Sequence, residues 1–124
     1  MKISLISIEK AGFIRLAIEG DVTSEDFLDN KGANPLETVL GASWATNNIL
    51  LNLAKSSFFD SSAIGWLIDS HRSSVSAGGK LVLHSAQPRV GDLFDLLKLR
   101  AVLNLKDDEK SAQEFINATP EVKS

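Results

Sequence analysis

The 124-residue sequence contains no cysteine. That absence excludes disulfides, thiolate metal sites and thiol nucleophiles together, and it fits a reducing compartment. There is no cluster of Lys and Arg either. The net charge is −3 and the sequence pI is about 5.3, so a broad electrostatic grip on nucleic acid or anionic lipid is not expected. No apolar run approaches the roughly 20 residues that span a bilayer. The N-terminus, Met1-Lys2-Ile3-Ser4-Leu5, alternates and does not form a continuous apolar signal segment. Membrane insertion is therefore not expected, and the cytoplasm is the simplest address. The sequence also lacks a Gly-rich phosphate loop, a nucleophile with an evident base, and a metal-ligand cluster. No catalytic residue, metal or cofactor is assigned, and the chain is not read as an enzyme.

What is present suits a folded domain. The hydrophobic fraction is 44% and the charged fraction 23%, both ordinary for a globular protein. One domain over 1–118 with a frayed polar tail over 119–124 is expected. Ile6 and Ile8 alternate with polar neighbours, and Ile14, Leu16 and Ile18 share a face opposite Arg15 and Glu19, so the chain opens as a hairpin. Thr23 or Ser24 can cap a short helix. Asn30 to Pro35 is turn-forming, and Pro35 is placed to open another short helix through Leu36, Val39 and Leu40. A broken helical connection follows.

From Asn48 the pattern sharpens. Ile49 to Leu53 is nearly all apolar, as in a central strand covered on at least one face. Ile64, Leu67, Ile68, His71 and Val75 trace one helical stripe that Gly78-Gly79 ends. Serines 70, 73, 74 and 76 read as one polar helix surface. Lys80 to His84 is a second strand, and strand–helix–strand demands a parallel pair. Pro88 starts a helix with Val90, Leu93, Phe94 and Leu97 inward. Val102-Leu103 reads as a short edge strand. Glu109 to Asn117 reads as a final helix burying Ala112, Phe115 and Ile116. The fold class is α/β, a mixed sheet of four to five strands with helices mainly on one side.

The informative segment is Phe58-Phe59-Asp60-Ser61-Ser62-Ala63-Ile64-Gly65, at the carboxyl end of a buried strand where a helix begins. A helix N-terminus offers unpaired N–H groups and partial positive charge. A phosphate on Ser61 would add about −1.5 to −2 charges there, at a cost borne by any partner covering the site. The plain alternative is an N-cap made by Asp-Ser-Ser. Trp66 falls roughly opposite the apolar stripe, near Ser62, Asp69 and Ser73. It is either a contact anchor for a partner or a core residue packed under the 30–47 segment. His71 and His84 lack a second ligand at metal spacing and read as structural or surface histidines. Asp107-Asp108-Glu109 reads as a solvated helix start.

These features in this order resemble the STAS family, in particular bacterial anti-sigma factor antagonists. The matching stretches are Ile49 to Leu53, Asp60 to Gly65, Gly78-Gly79-Lys80, Leu81 to Leu83, and Pro88 through Leu103. The resemblance implies a STAS-like fold. It further implies that Ser61 is the phosphorylated serine, flanked by Asp60 and Ser62, and that the partner is an anti-sigma factor which is also a serine kinase. In that scheme the unphosphorylated protein binds its partner, phosphorylation releases it, and a phosphatase resets the switch. Transcription is then regulated indirectly, without direct nucleic-acid contact. Ala63 and Ile64 depart from the family's usual Gly and Leu, and an added methyl at Ala63 bears on how closely a partner approaches. Ala63, Trp66 and Asp69 are the expected partner contacts. The alternative function is a non-switching STAS scaffold in a signalling complex, or a soluble subunit of a transport system.

Overall fold

A computed structural model describes residues 1–30 and 33–118. The expected frayed tail, 119–124, lies outside the described residues, as does the Lys31-Gly32 part of the expected turn. Five strands form one sheet in the order β1 (Lys2–Ile8), β2 (Phe13–Glu19), β3 (Asn48–Lys55), β4 (Lys80–His84) and β5 (Asn104–Lys106). The β1–β2 pair is antiparallel, and every later pair is parallel. The helices are α1 (Pro35–Leu40), α2 (Ser61–Ala77), α3 (Pro88–Leu96) and α4 (Glu109–Ala118), with 3₁₀ turns at Ser24–Asn30, Trp44–Thr46 and Leu99–Ala101.

Both faces of the sheet are covered, unequally. Ile14, Leu16 and Ile18 of β2 join Ile49, Leu51 and Leu53 of β3 and Leu81 and Leu83 of β4 in the main core. Leu36, Leu67, Val90 and Phe94, from α1, α2 and α3, close it. The opposite face is covered by α4, where Ala112 and Ile116 meet Phe13, Leu50 and Val82. β2, β3 and β4 thus supply alternate residues to two layers, which is why β3 reads as continuously apolar. Arg15 and Glu109 pin α4 to the sheet through two parallel hydrogen bonds of 2.8 and 3.0 Å. Glu109 is therefore not solvated like the rest of its acidic run. The Arg15 guanidinium holds its carboxyl below the ordinary glutamate value. Asp108 serves as the helix cap by accepting from the Ser111 N–H at 2.8 Å.

Several sequence expectations shift. The register slips between Leu5 and Ser7 on the edge strand β1. Ile6 and Ile8 are 44% and 69% exposed on this edge strand, although the shifted register sets Ile8 opposite Ile14. The buried face of α2 runs through Ala63, Ile64, Trp66, Leu67, Ser70 and Ser74, while Val75 is 62% exposed. Serines 70 and 74 therefore belong to the core side, and only 73 and 76 are solvent-facing. The face has turned because α2 packs against the 24–46 connection as well as the sheet, and small side chains suit close approach. Gly79 shows the same closeness, since a Cβ there would collide with the carbonyl oxygens of Ala45 and Asn47. α3 ends at Leu96, leaving Leu97 exposed before Lys98 turns the chain with a φ of 58°. The 3₁₀ turn at Leu99–Ala101 displaces the last strand from Val102-Leu103 to Asn104–Lys106.

Candidate functional site

The loop after β3 is stitched to the loop after β2 along its whole length. Gly20 N–H donates to the Lys55 carbonyl at 2.9 Å, and the buried Ser56 hydroxyl donates to the Ile18 carbonyl at 3.2 Å. Val22 N–H donates to the Phe58 carbonyl, Asp60 N–H donates to the Val22 carbonyl, and Val22 forms a parallel bridge with Phe59. Phe59 is buried with its ring edge-on to Phe94, the centroids 5.6 Å apart. These contacts fix the point at which α2 begins.

Asp60 caps that helix. Its Oδ1 accepts from the Ala63 N–H at 2.9 Å, and its Oδ2 accepts from the Ser24 N–H, also at 2.9 Å. Both oxygens of the carboxylate are therefore engaged. Ser61 and Ser62 occupy the first two helical positions and are exposed. Their own N–H groups precede the first intrahelical bond, which Ile64 makes to the Asp60 carbonyl. The Ser61 hydroxyl has no hydrogen-bond partner among the described residues. The cap expected of Asp-Ser-Ser is thus supplied by Asp60 alone. The serine hydroxyls remain accessible.

Trp66 takes the second of its two expected placements. It is 7% exposed, its Nε1–H donates to Asn34 Oδ1 at 2.9 Å, and its ring lies 5.6 Å from that of Phe27. It is a core residue beneath the 24–40 connection. Only its edge reaches a shallow groove of about 520 Å³, shared with Ser62, Gly65, Asp69, Ser73 and Pro35. Asp69 is exposed on that groove, while Ala63 is fully buried. An extra methyl at Ala63 therefore faces the core, and the expected contact there is corrected to a packing role.

Asn34, within the turn-forming stretch before Pro35, does more than form a turn. It caps α1 by accepting from the Leu36 N–H at 2.8 Å, accepts from Trp66, and donates to the Ser70 hydroxyl at 2.8 Å. An Asn directly before a helix-opening proline is the signal that marks it. Ser24 is a possible cap on local pattern alone; its backbone bond to Asp60 spans 36 residues and leaves no local trace.

His84 is buried, with Nδ1 2.8 Å from the Ser85 hydroxyl, and burial pushes its imidazole below the ordinary value. His71 is half-buried on α2, and its Nδ1 has no partner among the described residues. Among those residues no group of three His, Cys, Asp or Glu side chains could hold a metal ion, and no helix is long and apolar enough to cross a membrane.

The model of the STAS domain matches residues 4–112. The chain belongs to the STAS domain family. Solved structures share its fold at low identity. An anti-sigma-factor antagonist (STAS) domain protein from Planctomyces limnophilus is 15% identical with a TM-score of 0.70, covering 94% of this chain and 98% of its own. A candidate anti-sigma factor antagonist from Thermotoga maritima is 19% identical with a TM-score of 0.66, covering 92% and 93%. The Bacillus cell-fate determinant SpoIIAA in its phosphorylated form is 16% identical with a TM-score of 0.59, covering 92% and 99%.

Proposed function

We propose that this STAS domain is an anti-sigma factor antagonist controlled by phosphorylation of Ser61. Unphosphorylated, it binds an anti-sigma factor that is also a serine kinase; phosphorylated, it is released, and a phosphatase restores it. Transcription is thereby regulated indirectly, in the cytoplasm of a bacterium, and the chain itself catalyses nothing.

The observation that carries this reading is the division of labour at the start of α2. Asp60 caps the helix with a fully engaged carboxylate, so the exposed Ser61 hydroxyl is free of structural duty. A phosphate there would meet the unpaired N–H groups and partial positive charge of the first turn. The fold would tolerate it, whereas a partner seated over Ser61 would meet about two new negative charges. Asp69 and the groove edge of Trp66 lie on the same exposed side as Ser62 and supply further contact. The similarity to structures of anti-sigma factor antagonists supports the choice of partner class.

Mass spectrometry of the protein from its native host, grown with and without stress, tests the modification. A phosphate on Ser61 whose occupancy changes with condition is expected. Phosphate confined to Ser62, or an unmodified Ser61 under every condition, would return the segment to a helix cap and favour the scaffold or transport-subunit function.

A further inference from the structure

On the other side of the Ser61 loop lies a small apolar cleft between residues 57–59 and α3. Its lining comprises Phe58, Phe59, Val90 and Leu93, with Ser57 and Arg89 at the margin, and it encloses about 220 Å³. Phe59 and Val90 are buried and fixed, Phe59 by its edge-on contact with Phe94. Phe58 is 50% exposed and forms an open wall. Leu96 and Leu97, three and four residues beyond Leu93, extend the apolar surface along α3 and are themselves exposed. Arg89 forms no ion pair among the described residues. No carboxylate lines the cleft.

We propose that this cleft is an anchor pocket for one large apolar side chain of a protein partner, carried next to a carboxylate that pairs with Arg89. The size selects the occupant. Pockets that enclose small organic ligands run to about 300–1,000 Å³, whereas this one has room for a single side chain, and the Leu93, Leu96 and Leu97 surface accepts the chain around it. Interfaces concentrate their energy in such anchored side chains. The unpaired cation beside an otherwise apolar hollow supplies the charge selection. This deepens the reading of the chain as a partner-binding antagonist and rests on it: a partner anchored here would be held against the loop that carries Ser61, where a phosphate could dislodge it.

The test uses ¹⁵N–¹H NMR of the full chain titrated with N-acetyl-Phe-Glu-amide, N-acetyl-Phe-Lys-amide and decanoate. The acidic dipeptide is expected to shift the amides of residues 57–59 and 89–93 and to bind about five-fold or more tighter than the basic one, a ratio set by a single partly exposed charge pair. Arg89→Glu should reverse that order, and Phe58→Ser should abolish both, each in a protein whose spectrum remains folded because both side chains are exposed or half-exposed. Equal binding of the two dipeptides, or no localised shift with either, would overturn the proposal. Decanoate binding with neither dipeptide would overturn it in favour of a lipid site. Ser61 takes no part in this readout, so failure here leaves the phosphorylation reading to its own experiment.

Discussion

The carboxylate of Asp60 reaches the backbone N–H of Ser24 at 2.9 Å while its other oxygen caps α2. One side chain thus ties the start of the 24–30 turn to the start of the helix that bears Ser61. Replacing Asp60 with Ala removes both bonds and is expected to cost about 1–2 kcal/mol. Asp60→Asn keeps an oxygen for Ala63 but turns an amide donor toward the Ser24 donor. Hydrogen exchange resolves the two: the Ser24 amide should lose protection in both variants, the Ala63 amide only in the Ala variant. Full protection of Ser24 in Asp60→Asn would contradict this account.

Asn34 ties α1 to α2, through Leu36 on the one and Trp66 and Ser70 on the other. Asn34→Ala should cost about 2–4 kcal/mol, because it removes a cap and leaves the Trp66 indole N–H without its acceptor. Urea denaturation gives the loss, and Trp66 emission should shift as the indole loses its hydrogen bond. A change below about 1 kcal/mol would show that the connection is held by packing alone.

Gly65 lies inside α2, yet a Cβ built there meets nothing within 4 Å. Packing therefore does not require it, and Gly65→Ala should stabilise the isolated protein by up to about 1 kcal/mol through helix propensity. The same methyl would project into the groove beside Ser62 and Asp69. Weaker partner binding in a more stable protein is the expected pair of outcomes, read by thermal denaturation and by titration with the partner. Unchanged affinity would remove the groove from the interface.

His84 sets a pH dependence. Its folded-state pKa is lowered, by burial first, while the Glu109 carboxylate raises it, the Arg15 guanidinium lowers it and Asp108 raises it. The unfolded chain, with a histidine pKa of about 6.5, binds the proton more readily. Stability is therefore intact above that value and is lost as pH falls from it through the folded-state pKa. His84→Asn should flatten this part of the stability profile, measured by denaturation at successive pH values. A profile identical to the parent's would assign the acid sensitivity elsewhere.

Much of the fold was legible because its signals are local. The alternation of Ile14, Leu16 and Ile18, the apolar run Ile49 to Leu53 and the Gly78-Gly79 stop each specify an element without reference to its neighbours. The orientation of α2 was not legible in this way. Serines 70 and 74 look polar on a helical wheel but are buried where α2 meets the irregular 24–46 connection, and nothing local announces that contact. The helical wheel leaves Trp66 open between anchor and core, and the same contact decides between them. At the site, the Asp60-Ser61-Ser62 sequence marked the helix start, whereas the bonds to Val22 and Ser24 that immobilise it join segments more than thirty residues apart.

Whether charge on Ser61 governs association is decided by comparing the partners of the wild-type protein, Ser61→Ala and Ser61→Asp isolated from the native host. One ATP-binding serine kinase with anti-sigma activity is expected to accompany the wild type and Ser61→Ala and to be lost with Ser61→Asp, while all three proteins melt alike. Retention of that same partner by Ser61→Asp at undiminished affinity would contradict it.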